Sequence, residues 1–419
     1  MPSKKPKNQK SSLKKPTKPD KKSVENLDKK APKLSRNDKI LLFLGLCFLV
    51  GSAGITTFVF FTPSEREFVA IFPELPSIKA VDSVNYYSNL TGLKVANEAE
   101  ITAPAYCIQT PNGMDGARPQ AGLNEAGVVF EAIAEAGITR FAAIYQNPTS
   151  AIIGPIRSLR LYYLEWDTPF DCTIVHAGGA PDALQVVSRG YKDLTESYTY
   201  MYRGSNGIRR WNNLFTTSTY LAKMNADRGY GGSNVQGFRR MTPDESLVSK
   251  IDSLAAEKLV IYEPSAGKTS TLVAKTTDIA INFGGIKNFN VRYKYDLNSN
   301  TYLRSYESGT EHNIYDCPAG DIGEKNPEDN CTLKQLSPSV VVVMIVQEKK
   351  ASDNYHENIT TIGSGEAYIF QNGTATKGTW NKPSVGEQIK FYNETGAEVA
   401  LAPGQTFVEA VPQYGSVEY

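Results

Sequence analysis

Hydrophobic and polar positions divide this chain into three zones before any motif is considered. Residues 1–39 are polar and rich in Lys and Pro; residues 40–61, ILLFLGLCFLVGSAGITTFVFF, are uncharged; the rest alternates short apolar runs with polar turns. A helix over Ile40–Phe61 is about 33 Å long, enough for the hydrocarbon core of a bilayer. Residues 62–100 mix Pro, Ser and acids with scattered apolar residues and read as a stalk.

From Ile101 the pattern tightens. GVVFEAIAE (127–135) and ITRFAAIYQ (138–146), separated by a Gly turn, predict a β-hairpin through their Val, Phe, Ile and Tyr content. The Ala and Glu of the first half also admit a helix. GPIRSLRLYYLEWD leads from a Gly154-Pro155 break into a helix, FDCTIVHAGG is a strand ending in glycines, and PDALQVVSRG is helical. TPDESLVSKIDSLAAEK (242–258) carries a full start signal, with Thr242 as N-cap, Pro243 first in the helix and Glu245 closing a capping box. Beyond residue 258 the predicted strands are LVIYE, DIAINF, NVRYKYD, TYLRSYE, VVVVMIVQ, AYIFQNGTATKGTWN, QIKFYNETG and TFVEAVPQ. The unbroken SVVVVMIVQ marks a central strand covered on both faces, and Asn372-Gly373 is a turn signal. The expected fold is therefore α/β (mixed α+β): a mixed sheet with helices over 101–258, a β-rich region over 259–419, and one preceding transmembrane helix.

Charge changes the picture of the first zone. Residues 1–39 hold fourteen Lys and Arg against four acids, a balance of +10; with the whole chain at +1, the remainder carries −9. A basic segment beside a span stays in the cytoplasm, so the chain is expected to be single-pass, N-terminus inside and bulk outside. The tail has too little apolar content to fold and suits anionic lipid headgroups. No aromatic is interleaved to stack on bases, so no nucleic-acid partner is expected. A cleaved signal and a lipoprotein anchor at Cys47 are the rival readings of 40–61; the run's length, the long preceding tail, Leu46 before the cysteine and fourteen uncharged residues after it favour an uncleaved anchor.

An outside location suits the cysteines. Cys317 and Cys331 bracket a polar loop, and a disulfide closing it contributes about 3 kcal/mol in the chain-entropy model. Cys107 and Cys172 sit in apparent strands and are either bridged or two buried thiols. The loop's acids do not follow a calcium-loop spacing.

Motifs for phosphate-binding loops, zinc proteases, serine-hydrolase elbows and paired CxxC are missing, and three histidines make a His-rich metal site hard to build; neither cofactor nor metal is expected. Arginines beside glycines and prolines stand out instead: Arg118, Arg140, Arg157 with Arg160, and Arg203. A buried guanidinium without a partner is costly. Either these arginines pair with Glu131, Glu135, Glu165 and Asp171, or they form a cleft that clamps a carboxylate or phosphate. Arg157 and Arg160, with Ser158 between them, share a face if they lie on one helical turn. His176 ends the strand CTIVH before Gly178 and Gly179, a placement suited to an acid/base group or to the rim of an anion site at a helix start.

The order ARPQ-GL, E-GITRF, GP-RS-R, H-GG and MYRG, with GSGEAYIFQNGTATKGTWNK and GAEVALAPGQTFVEAVP later, resembles the YerB-like family of bacterial envelope proteins, a domain of unknown function, over roughly 100–415. The resemblance implies a cell-envelope location and supplies no reaction. Where that family commonly carries Pro-His-Asn, this chain has Trp211-Asn212-Asn213, and Asn212 cannot exchange protons. The expectation is an extracytoplasmic protein that binds an anionic envelope glycan or lipid phosphate through Arg118, Arg140, Arg157, Arg160 and Arg203, with Ser158, His176, Gly178 and Gly179 at the rim. A hydrolase or transferase using His176, and a scaffold, are the alternatives.

Overall fold

The structure is a computed structural model describing residues 84–204, 212–260, 278–351, 353 and 355–419. The basic tail and the 40–61 span lie outside these residues. Among the described residues no helix is long and apolar enough to cross a membrane.

A ten-stranded mixed sheet organises the chain. Its strands are β1 (Ala105–Pro111), β2 (Val128–Glu135), β3 (Ile138–Gln146), β4 (Thr173–His176), β5 (Asp193–Thr195), β6 (Val340–Val346), β7 (Gly363–Gln371), β8 (Thr374–Lys382), β9 (Lys390–Asn393) and β10 (Thr406–Pro412). They lie in the order β9-β8-β7-β6-β10-β2-β3-β1-β4-β5. Five strands come from each side of residue 259, and the two sets join where β10 runs parallel to both β6 and β2.

Both faces are covered. Even-numbered residues of β6 pack in one core with Tyr162, Tyr163 and Trp166 of helix α1 (Leu161–Asp167) and Ala183 of α2 (Pro181–Val187). Val341 and Val343 face a second sheet formed by strands Asp278–Asn282, Val291–Asp296, Thr301–Tyr306 and Ser416–Glu418. Helix α3 (Ser218–Arg228) covers the other end of that face through Leu221 and Met224. The apolar run of β6 is thus the covered strand that its sequence suggests.

The 127–146 hairpin forms as predicted. Asn372 and Gly373 both take positive φ, 53° and 73°, at the turn between β7 and β8, as a tight two-residue hairpin requires. Helix α4 (Pro243–Val260) starts where its cap signals place it, but runs through Leu259 and Val260. The expected strand LVIYE is corrected there: helix elongation is cheap once nucleated and overrides the β preference of two residues, and its remaining residues lie outside those described. Residues 84–100, read as stalk, contain the paired strands Tyr86–Tyr87 and Lys94–Val95, with Leu90 buried in the main core.

Cys317–Cys331 and Cys107–Cys172 are both disulfides. The second follows from β1 and β4 being parallel neighbours with Cys107 opposite Ile174.

Candidate functional site

The site begins with an irregularity in the β2–β3 hairpin. Ile133 pairs with Thr139 and Glu135 with Ile138, so the register slips by one between Ile133 and Glu135. A bulge of this kind re-aims the side chains that follow it. Glu131, before the bulge, accepts a hydrogen bond from the Thr139 hydroxyl at 2.6 Å. Glu135, after it, instead meets Arg140 and Arg160 at the α1 side.

Arg160 lies just before α1, its backbone extended at φ −123° and ψ 150°. Residues 157–160 therefore do not form the helical turn that places Arg157 and Arg160 on one face. The stretch is laid between β1 and the turn after β4: the Arg157 N–H donates to the Gln109 carbonyl at 2.7 Å, and the Ala177 N–H to the Arg157 carbonyl at 3.0 Å. Ser158 donates its hydroxyl to the Ala177 carbonyl at 3.1 Å. The Leu159 N–H donates to the Gly178 carbonyl at 3.0 Å. Gly178 adopts φ +67°, and a Cβ on Gly179 would lie 3.2 Å from that of Leu159. Gly179 permits this close backbone contact, whereas a Cβ on Gly178 would meet no atom within 4 Å and its positive φ is what favours glycine there.

Arg140 and Arg160 share Glu135, and each also donates to main-chain carbonyls of 158–159. Arg157 differs. Among the described residues its guanidinium has no partner at hydrogen-bond or ion-pair distance, and its Nε is buried. Burial holds the Arg157 pKa below its ordinary value; Glu135 and Asp115 oppose this, and Arg160 and Arg203 add to it. Burial, then Arg160, likewise depress Arg140, with Arg157 contributing. Three arginines thus surround one glutamate. Arg203 stands within electrostatic range, held by Glu196 at 2.6 Å and Asn213 at 3.1 Å. Asn212 donates to Asp115 at 3.0 Å. A groove of about 540 Å³ opens beside Arg160, between the starts of α1 and α2 and the 349–360 segment; Arg157 is not among its lining residues.

Two expected members lie elsewhere. His176 is 1% exposed, and its ring nitrogens face the Gly178 carbonyl at 2.7 Å and Asp193 at 2.9 Å. No nitrogen is left for a substrate, so this geometry is that of a structural histidine. Arg118 sits over the Tyr306 ring at 3.9 Å and donates to Asn112 at 2.9 Å.

Arg118 borders a buried network centred on Arg304, which no sequence motif marks. Arg304, wholly buried, pairs with Glu131, donates to Tyr293 at 2.9 Å and to His312, and His312 in turn reaches Gln120 at 3.0 Å. Glu409 lies opposite Glu131 in the β10–β2 register and accepts from Tyr293. Burial and the Glu131 charge push the Glu409 pKa well above the carboxylate range, against the opposing Arg304. His312 is held well below its ordinary value by burial, Arg304 and Arg118. The available signal was Arg304 on the inward-facing positions Tyr302, Arg304 and Tyr306 of an alternating strand. Among the described residues no group of three or more His, Cys, Asp or Glu is placed to hold a metal ion.

The chain belongs to the family described as protein of unknown function (DUF3048): the N-terminal domain of that family matches residues 90–231 and the C-terminal domain residues 279–408. It is 24% identical over 326 residues to the Bacillus subtilis (strain 168) protein described as "Putative lipoprotein YerB", covering 77% of this chain and 85% of that relative. The crystal structure of YerB from Bacillus subtilis shares the fold with a TM-score of 0.61 at 22% identity, over 80% of this chain and 100% of the other.

Proposed function

We propose that this protein is a membrane-anchored, extracytoplasmic component of the bacterial cell envelope that binds an anionic ligand at Arg157. Arg140, Arg160 and Arg203 supply the surrounding positive potential. The observation that carries this reading is the half-buried Arg157 guanidinium, without a hydrogen-bond or ion-pair partner among the described residues, with Glu135, Asp115, Arg160 and Arg203 within electrostatic range. An anion offered to it gains charge-assisted hydrogen bonds. Arg118, outside this group, is left out of the binding set.

Anchoring rests on the uncharged 40–61 run behind a +10 tail, a pattern that orients the N-terminus to the cytoplasm. The description of the YerB relative as a lipoprotein supports the same compartment by a different attachment. An envelope glycan bearing acidic groups and a lipid-linked phosphate both suit the site. No proton-transfer step is assigned, since both His176 nitrogens are engaged and Asn212 stands on Asp115.

The test is thermal melting of residues 82–419, a single compact unit, with inorganic pyrophosphate, a polyprenyl phosphate and an acidic glycan. A bound ligand at a hundredfold excess over its Kd adds about 2.7 kcal/mol. Arg157→Ala is expected to melt close to the parent, because it breaks no ion pair, and to lose the ligand-induced rise. An equal rise in the variant, or none in the parent with any probe, would sink the proposal.

A further inference from the structure

The loop between Cys317 and Cys331 is acidic and poor in apolar residues, yet it is firmly attached to the N-terminal half. Its flanking strands, Asn313–Asp316 and Thr332–Gln335, pair antiparallel. The Ala151 N–H donates to the Pro318 carbonyl at 2.9 Å, and the Gly320 N–H to the Thr149 carbonyl at 3.1 Å. The Tyr202 hydroxyl donates to the Lys325 carbonyl at 2.8 Å. Cys317 shares an apolar cluster with Ile152, Tyr202 and Phe215. A Cβ on Gly204 would lie 2.7 Å from Asn326 Oδ1, so the backbone after Arg203 runs directly against the loop.

These contacts reach both pieces of backbone that present the arginine cleft. Tyr202–Arg203 pairs with Leu214–Phe215. The Leu214 carbonyl accepts the Ile156 N–H at 2.8 Å, and Ile153 and Thr216 exchange two main-chain hydrogen bonds. Arg157 is the next residue after Ile156. Loop, hairpin and residues 153–157 form one hydrogen-bonded stack with the disulfide at its outer end.

We propose that the Cys317–Cys331 disulfide is a redox-sensitive brace that positions Arg203 and Arg157, and that its reduction by a dithiol weakens anion binding. This regulation rests on the anion reading of the cleft. One reductant thiolate attacks a cysteine sulfur and releases the other as thiolate; the second reductant thiol then resolves the mixed disulfide. Two electrons and two protons pass to Cys317 and Cys331, and the reductant leaves as its own disulfide. Cys331 is only partly buried, whereas Cys107 and Cys172 lie within the main core. A mild dithiol therefore reaches the loop first, because exchange requires access to a sulfur.

The experiment uses the full chain in detergent, oxidised, treated with mild dithiothreitol, and as Cys317→Ser/Cys331→Ser. Two quantities are read: affinity for inorganic pyrophosphate, the polyprenyl phosphate and the acidic glycan, and amide hydrogen exchange across 153–157 and 202–204. Reduction is expected to weaken affinity about tenfold, an ordinary size for coupled sites. Exchange in both segments should quicken while β2 and β3 stay protected, and reoxidation should restore both readouts. Unchanged exchange on reduction overturns the brace, as does faster exchange with unchanged affinity. Failure of the oxidised chain to bind pyrophosphate, the polyprenyl phosphate and the acidic glycan alike overturns the anion reading and the regulation built on it. The exchange readout distinguishes that result from failure of the brace, because it needs no ligand. Should the double variant not fold, chemical reduction carries the comparison.

Discussion

Glu348 shows how a single side chain stores pH dependence in this fold. One carboxylate oxygen accepts the Tyr414 hydroxyl at 2.5 Å; the other is buried without a partner. Burial is the main cause that lifts its pKa from 4.5 to about 7; the nearby Glu357 charge adds to this, while Tyr414 and Lys350 oppose it. Between these values the folded chain keeps a proton that the unfolded chain releases, so stability falls as pH rises through that window. Glu348→Gln should match the parent near pH 4.5 and melt higher above pH 7. Melting curves at the two pH values check this, and an unchanged gap between them would count against it. Residue identity alone did not reveal this. A glutamate followed by two lysines looks solvated in sequence, yet in the fold its carboxylate meets Tyr414, 66 positions away. The arginines were easier to single out, but their partners were not. Glu135 reaches Arg140 and Arg160 because a one-residue bulge turns it there, and no residue at the bulge announces it.

Secondary structure elements were legible where their signals are local. Thr242 and Glu245 form the reciprocal capping pair anticipated from their spacing: the Glu245 N–H donates to the Thr242 hydroxyl at 3.2 Å, and the Thr242 N–H to the Glu245 carboxylate at 2.7 Å. Thr242→Ala should cost about 1 kcal/mol, measured as a lower urea midpoint at constant slope; a variant with the parent's midpoint would show that the cap contributes nothing. The same locality explains the Asn372-Gly373 turn, whose residue types tolerate positive φ. It fails for Arg157 and Arg160. Three residues apart suggests a helical turn, but hydrogen bonds to Gln109 and Gly178 from separate parts of the chain pull the stretch straight.

At the scale of the whole molecule, the sheet ties the two family domains together. β10 inserts between β6 and β2, running parallel to both, and the buried Arg304–Glu131 pair links the second sheet to β2. Separation would leave β2 and β10 with open edges and a buried charge unpaired, a loss of about 3–5 kcal/mol for the charge alone. Residues 84–258 and 279–419 expressed separately should therefore show no cooperative melting, and should regain it on mixing. A sharp transition in either half alone would refute this coupling.

Short-range chemistry is what could be read directly from the order of residues. That order placed the uncharged 40–61 run behind a basic tail, the β-hairpin, the capped helix, the covered strand of Val340–Val346 and the family motifs. Tertiary structure decided which distant groups meet. It joined Cys107 to Cys172, gave Arg140 and Arg160 a common glutamate, left Arg157 without a partner among the described residues, and engaged both nitrogens of His176. The physical reason is that periodicity and capping act within a few residues. Pairing of buried charges instead depends on sheet register and on elements brought together from far along the chain.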